Sequence, residues 1–217
     1  QRLRASPGHP SDDGGGDVGA EVGELVLRAP WPGMAAGFWQ DAARYVDAYW
    51  SRFPGLWVHG DWARIDEDGH WFIEGRSDDT LKIAGKRVGP AEYESALVGH
   101  VLVKEAVAIG VPDPVKGETA VCFVTLAAPG AAAAAEEGWA ASERALCAHV
   151  AERLGKPLAP ARVHCTAALP RTRNGKILRR LVRAAYLGQA LGDLTSLEDP
   201  AALDAIRACA QPAGAVA

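Results

Sequence analysis

No run of about 18 uncharged apolar residues occurs in this sequence, so no segment of it reads as a membrane-spanning helix. An apolar leader is missing too. Gln1-Arg-Leu-Arg-Ala-Ser-Pro7 has neither an initiator Met nor a hydrophobic stretch, which speaks against a secretory start and suggests the cut edge of a longer chain. Cysteine is sparse: Cys122, Cys147, Cys165 and Cys209 stand far apart with no CxxC pair, which favours reduced thiols in a cytoplasmic protein over disulfides. The six histidines show no HxxxH or HExxH spacing, which disfavours a zinc site. Nor is there a basic excess. With 23 Lys and Arg against 27 Asp and Glu, the formal charge of −4 argues against general nucleic-acid or membrane-surface binding.

What the 217 residues do contain is enough apolar character, 48 %, to build a core for one large domain or two small ones. Residues 1–20 are polar and glycine-rich and read as a loop. Glu24-Leu-Val-Leu-Arg28 reads as a strand. Asp41 is a candidate N-cap for a helix with Ala42, Tyr45, Val46, Tyr49, Trp50 and Phe53 on one face, stopped by Pro54-Gly55. Strands are expected at Leu56–His59, Trp62–Ile65 and His70–Glu74, the last two joined by the Asp66-Glu-Asp-Gly69 turn. A second hairpin turns at Ala84-Gly85, and Pro90 opens a helix carrying Tyr93, Ala96, Leu97 and His100.

Farther on, Val103–Gly110 and Ala120–Leu126 are β-rich runs joined through Pro112-Asp-Pro114. The alanine-rich stretch 127–139 reads as a mobile loop, although alanine itself favours helix. Ser142 opens a helix through Leu146, Val150 and Leu154, ended by Gly155. A strand at Arg162–Cys165 precedes the segment Pro170-Arg-Thr-Arg-Asn-Gly-Lys176. After it comes a helix with Ile177, Leu178, Leu181, Val182 and Ala185 on one side. Beyond Gly188 the pattern is weak. Strands and helices alternate after residue 80, which predicts a compact α+β domain.

Two clusters of residues invite chemistry. Arg171, Arg173, Lys176, Arg179, Arg180 and Arg183 crowd one window of an acidic chain. A solvated helix start, a nucleic-acid patch and a site for a small anion all remain open on charge alone. Asn174-Gly175 favours a turn that projects Lys176, and the start of a helix attracts anions. In the second cluster, Asp61 and Arg76 lie across a hairpin. They could meet at one end of a sheet to bind ribose and phosphate, or form an ordinary surface pair.

Five motifs occur in order: Trp31-Pro-Gly-Met34; Gly60-Asp61 with Asp66-Glu-Asp-Gly69; Gly75-Arg-Ser-Asp-Asp79; Gly85-Lys-Arg87 with Glu92-Tyr-Glu-Ser-Ala-Leu97; and Pro170 to Lys176. Together they resemble the adenylate-forming enzymes, the superfamily of acyl-CoA synthetases, peptide-synthetase adenylation domains and firefly luciferase. Pro30-Trp-Pro-Gly-Met34 and Gly192-Asp-Leu-Thr-Ser-Leu-Glu-Asp-Pro200 are most similar to the acetyl-CoA synthetase branch.

That resemblance implies an α+β fold in which 1–77 is the edge of a large AMP-binding domain, 78–190 a small mobile C-terminal domain and 191–217 a tail. It implies an ATP-dependent acid–thiol ligase that makes acyl-AMP and then acyl-CoA from a short acid such as acetate, using ATP, CoA and Mg2+. By the same resemblance Lys176 is the catalytic lysine, and Asp61 holds the ATP or AMP ribose with Arg76 beside it in the nucleotide site. Arg87 reaches the phosphates, Asp78 is the hinge, Ala84 and Gly85 line the pantetheine tunnel, and Val98, His100 and Val103 hold magnesium. Two positions depart from the family. Ala84 stands where a serine is usual, and Ala151, with Arg153 nearby, stands where an arginine meets the CoA 3′-phosphate. The Ser/Thr/Gly-rich phosphate loop and the adenine motif are not found in this sequence. An N-terminal domain is therefore the expected partner, and a stand-alone, non-catalytic binding module is the alternative.

Overall fold

The computed structural model describes residues 4–7 and 22–210, which divide into two compact units, Gln1–Asp79 and Thr80–Ala217. In the first unit four antiparallel strands run in the order β1 (Arg4–Pro7), β2 (Val22–Leu27), β3 (Trp57–Ile65) and β4 (Trp71–Arg76). Part of the loop expected over 1–20 is therefore a strand paired with Gly23–Val26, and the rest of that loop lies outside the described residues. The two strands expected at 56–59 and 62–65 are one. Gly60, at φ +85°, lets the chain pass without breaking, and the register shifts between Trp62 and Ala63. Asp66 ends β3 as expected, its carboxylate accepting from His70 N at 2.8 Å in the turn to β4.

The first helix, α1 (Ala42–Tyr49), starts where its cap dictates, with Asp41 Oδ1 accepting from Arg44 N at 3.1 Å. It ends at Tyr49, short of Pro54-Gly55. Tyr49 stacks on Trp57 of β3 at 4.7 Å between ring centroids, which fixes the helix to the sheet.

The second unit is a sheet covered by helices on both faces. β5 (Leu81–Ile83) and β6 (Lys86–Val88) form a two-residue hairpin. β7 (Val103–Asp113) and β8 (Gly117–Leu126) form the long central hairpin. The other side of β8 takes β5 at Gly117 and, in parallel, β9 (Arg162–Cys165) along Val121–Val124. Alternation sorts the central strands. Ala106, Ala108, Ala120, Cys122 and Val124 join the core beneath α2 (Pro90–Val98) and α4 (Trp139–Leu154). Val107, Ile109, Val111, Val121 and Phe123 join the core beneath α5 (Arg179–Tyr186) and α6 (Ala201–Cys209). Both faces are buried, so β7 and β8 read as continuous apolar runs rather than alternating ones.

Several elements differ from the sequence expectation. Residues 128–137 form a helix, α3 (Ala128–Glu137), because an alanine run with Pro129 in its first turn has strong helix propensity and little else to do. α4 begins at Trp139 after Gly138, so Ser142 is a buried residue inside the helix and not its cap. α5 begins at Arg179, so Ile177 and Leu178 precede it. The weakly patterned stretch after Gly188 contains α6, whose Leu203 and Ile206 are buried with Leu181 and Val182. A nine-residue helix is marginal by propensity alone. Burial of each of these two side chains contributes about 2 kcal/mol, so packing holds α6 in place.

His164 of β9 is buried among aromatic rings, stacked on Phe123 at 5.2 Å and tilted against Tyr186 at 5.7 Å, and its Nε2 has no hydrogen-bond partner. Burial, helped by Arg162 and opposed by Glu143, holds its pKa below the ordinary value. The unfolded chain takes up this proton near pH 6.5 and the folded chain does so only at lower pH. Stability is therefore fully present above about pH 6.5 and is lost as pH falls from there toward the folded pKa. His164→Phe keeps the stack and removes the titration. Urea unfolding at pH 7.5 and 5.5 is expected to show a smaller loss in the variant than in the parent chain.

Candidate functional site

Within the first unit, strand register builds one polar cluster. Asp61 on β3 lies directly opposite Arg76 on β4. The Arg76 guanidinium donates from Nε and Nη2 to the two oxygens of Asp78 at 2.8 and 2.7 Å, a bidentate pair. Its Nη1 stands 3.9 Å from Asp61 and 3.4 Å from the carbonyl of His59. The hydrogen bond to Asp78, the largest cause, raises the pKa of Arg76 further above its already high value. Asp61 is also bound by the His59 ring. Two facing residues are thus joined by His59, which sequence spacing gave no reason to single out.

Gly60 makes this arrangement possible. A Cβ there would lie 2.9 Å from the Arg76 guanidinium, on a backbone already at positive φ. Beneath the cluster, the amide of Ser77 donates to the Gly60 carbonyl, and the Ser77 hydroxyl donates to the buried carboxylate of Glu24 at 2.8 Å. Arg52 pairs with the same carboxylate at 2.8 Å. Ser77 lies 53 residues from Glu24, so no local signal could have joined them.

In the second unit the Lys176 segment is a small hairpin. Arg171 and Ile177 form an antiparallel bridge. Thr172 organises the turn with three bonds: its amide donates to the Lys176 carbonyl at 2.9 Å, its carbonyl accepts from Gly175 N at 2.8 Å, and its hydroxyl accepts from Lys176 N at 3.2 Å. Gly175, at φ +80°, supplies the reversal the Asn-Gly pair predicts. Lys176 is exposed at the exit of the turn, three residues before α5, and its ammonium makes no ion pair among the described residues.

The basic window resolves into two kinds of residue. Arg171 pairs with Glu105 at 2.9 Å and Arg179 with Glu94 at 2.7 Å. Arg183 donates to the Gly110 carbonyl, and Arg180 to the carbonyls of Leu191 and Asp193. Those four hold the fold together. Arg173 and Lys176 remain exposed, which is a poor basis for a nucleic-acid patch and a sufficient one for a small anion.

The other sequence candidates stand on separate parts of this unit. Ala84 and Gly85 form the β5–β6 turn with φ +50° and +81°, the mirror-image geometry of a two-residue hairpin. Nothing lies within 4 Å of a Cβ built on Gly85, so open space surrounds the turn. Arg87 is exposed on β6, paired in register with Lys82. Arg153 is also exposed, its guanidinium 3.1 Å from where a Cβ on Gly99 would stand.

Val98 ends α2, and the chain turns sharply there, with Val103 N donating to the His100 carbonyl at 3.0 Å and Leu102 N to His100 Nδ1 at 3.3 Å. Burial, and then neighbouring His149, hold the His100 pKa below normal. The carbonyl-rich end of a helix beside a neutral imidazole offers the oxygen donors and the negative dipole end that suit a hard divalent cation.

Elsewhere, Asp66, Asp68 and His70 bring their ligand atoms within 4.8 Å of one another, but Asp66 is spent on capping the β3–β4 turn. Burial, the largest cause for each, raises the pKa of all four thiols, which makes them poor nucleophiles. Among the described residues no helix is long and apolar enough to cross a membrane.

Residues 92–176 match the AMP-binding enzyme C-terminal domain. The chain is 43 % identical over 185 residues to the acetyl-coenzyme A synthetase of Pyrobaculum aerophilum, covering 84 % of this chain and 26 % of that protein. It is 42 % identical over 196 residues to the acetyl-coenzyme A synthetase of Deinococcus radiodurans (88 % and 29 %). It is also 42 % identical over 193 residues to the 3-hydroxypropionyl-coenzyme A synthetase of Sulfurisphaera tokodaii (86 % and 28 %). Among solved structures, the acetoacetyl-CoA synthetase from Streptomyces lividans superposes with a TM-score of 0.72 at 28 % identity, over 96 % of this chain and 30 % of that one. The chain thus spans little more than a quarter of the length of the curated relatives it matches. It belongs to the AMP-binding acyl-CoA synthetase family and carries that family's C-terminal domain.

Proposed function

We propose that this chain supplies the mobile domain of an AMP-forming acid–thiol ligase acting on a short carboxylic acid, with ATP and CoA as co-substrates and a preceding AMP-binding domain as its partner. The observation that carries the proposal is the Lys176 hairpin: of six clustered cations, the fold ties down four and leaves Lys176 projected from a turn that Thr172 holds by three bonds.

In the first half-reaction a carboxylate oxygen attacks the α-phosphorus of ATP and pyrophosphate leaves. Lys176 offsets the negative charge that develops between the two anions. Asp61 accepts hydrogen bonds from the ribose hydroxyls, Arg76 stands beside it, and Arg87 contacts the phosphates. In the second half-reaction the CoA sulfur attacks the acyl carbonyl and AMP leaves. Rotation at Asp78 exchanges the Lys176 hairpin for the Ala84-Gly85 turn, whose open backbone admits pantetheine. Val98, His100 and Val103 would hold a magnesium ion whose charge is met by backbone oxygens at the end of α2. The relatives named for acetyl- and 3-hydroxypropionyl-CoA resemble this chain equally well, so the acid is assigned here only as short.

The test uses an assembled enzyme, with this chain placed behind the AMP-binding domain of a relative such as the Deinococcus radiodurans protein. Lys176→Ala is expected to slow ATP–pyrophosphate exchange by about 10² to 10³ while leaving thioester formation from preformed acyl-AMP nearly intact. Equal losses in both half-reactions would refute the role given to Lys176. Gly60→Ala drives a Cβ into the Arg76 guanidinium. It is expected to raise the KM for ATP roughly tenfold, the worth of one charged hydrogen bond, as measured by steady-state kinetics.

A further inference from the structure

The domain match ends at Lys176, yet the chain continues through an ordered segment that returns to the Lys176 hairpin. We propose that residues 191–209 form a brace that sets the position of Lys176, with Arg171 and Thr172 as the positioning residues it grips. The proposal rests on the reading of Lys176 given above.

The segment is held at three places. At its start, Arg180 of α5 donates to the carbonyls of Leu191 and Asp193 at 2.6 and 3.1 Å. In the middle, Leu197 forms an antiparallel bridge with Thr172, and Glu198 N donates to the Arg171 carbonyl at 2.9 Å. Leu197 is itself buried in the core shared with Val107, Ile109 and Phe123, so the bridge is anchored to the sheet. At its end, Asp199 Oδ1 accepts from Ala201 N at 2.9 Å and starts α6, whose Leu203 and Ile206 pack with Leu181 and Val182.

The grip falls on the residues that shape the turn. The Arg171-Thr172 arm of the hairpin is thus bridged to Ile177 on one side and to Leu197 on the other. Without the contact at 197–198, only the few bonds between 170–172 and 175–178 would hold the hairpin, and an isolated short hairpin is marginal in water. The opposite flank is fixed by the Arg171 guanidinium, which donates to both oxygens of Glu105 on β7 at 3.1 and 2.9 Å. That bond lowers the Glu105 pKa and is supported by the Thr125 hydroxyl at 3.3 Å. The backbone of Arg171 thus answers to residues 197–198 and its side chain to the central hairpin. Between them they define where the following turn points.

Glu198 is exposed, so Glu198→Pro removes one N–H while leaving the core alone. In the 217-residue chain, amide exchange followed by NMR is expected to quicken about fivefold or more at Thr172 and Gly175, with β7 and β8 unchanged. In the assembled enzyme the same variant is expected to lower the kcat of pyrophosphate exchange with the KM for ATP unchanged, and to spare thioester formation.

Unchanged exchange at Thr172 and Gly175 would overturn the brace. Faster exchange with adenylation untouched would support the brace and count against the catalytic reading of Lys176, so the two failures are distinguishable. If Glu198→Pro folds poorly, Arg180→Met tests the same coupling, because it removes both donors at the start of the segment and retains the apolar stem. It is expected to quicken the same two amides, and silence there would overturn the brace equally.

Discussion

Ten register pairs tie β7 to β8, from Val103–Leu126 to Asp113–Gly117, and both faces of that ladder are buried. Small side chains (Ala106, Ala108, Ala120, Cys122) let α2 and α4 approach one face closely. Larger ones (Val107, Ile109, Phe123) fill the other beneath α5 and α6. Each proposed chemical feature of the second unit hangs from this hairpin by a specific contact. The Ala84-Gly85 turn joins through the Ile83–Gly117 pair, and the Lys176 hairpin through Arg171 and Glu105. Helix α2, whose C-terminal end carries Val98, joins through Glu94 at its middle, which accepts from Ala108 N at 3.0 Å and also pairs with Arg179. A single packed element can therefore present different groups from different parts of its surface without changing its own shape.

The polar groups divide the same way. Most of the arginines near Lys176 are internal fasteners, and their value lies in geometry more than in charge. Ion pairs near the surface are worth about 0–1 kcal/mol, so the part-buried Arg171–Glu105 pair contributes modestly to stability. What it fixes is direction. In the first unit the bidentate Arg76–Asp78 pair plays a comparable part, holding a guanidinium against Asp61 where Gly60 leaves room for it.

Much of this was legible in the sequence where a local rule applies. Asp41 as a cap, Asp66–Gly69 and Ala84-Gly85 as turns, and the apolar runs of β7 and β8 each follow from a few adjacent residues. The Lys176 turn was legible from Asn174-Gly175, and the family from motifs in order. Contacts between distant residues were not legible. Arg179 and Glu94 are 85 residues apart and Arg171 and Glu105 are 66 apart, so a row of arginines could not be told from a basic patch. The low complexity of the alanine stretch suggests a mobile loop, whereas helix propensity decides its state. α6 leaves little trace in the sequence because it is short and its two anchors, Leu203 and Ile206, gain their meaning only from α5.

On the proposed mechanism, Lys176 and Gly85 ride on one body that turns as a whole between two half-reactions. Electron-resonance distances between spin labels at exposed positions test it directly. One pair at Lys86 and Arg173 lies within the second unit, and a further label at Glu67 lies in the first. In the assembled enzyme the account predicts a constant 86–173 distance as ATP, acyl-AMP and CoA are added in turn, with the 67–86 distance changing between the adenylate and CoA states. A shift in the 86–173 distance, or a 67–86 distance indifferent to ligand, would contradict it.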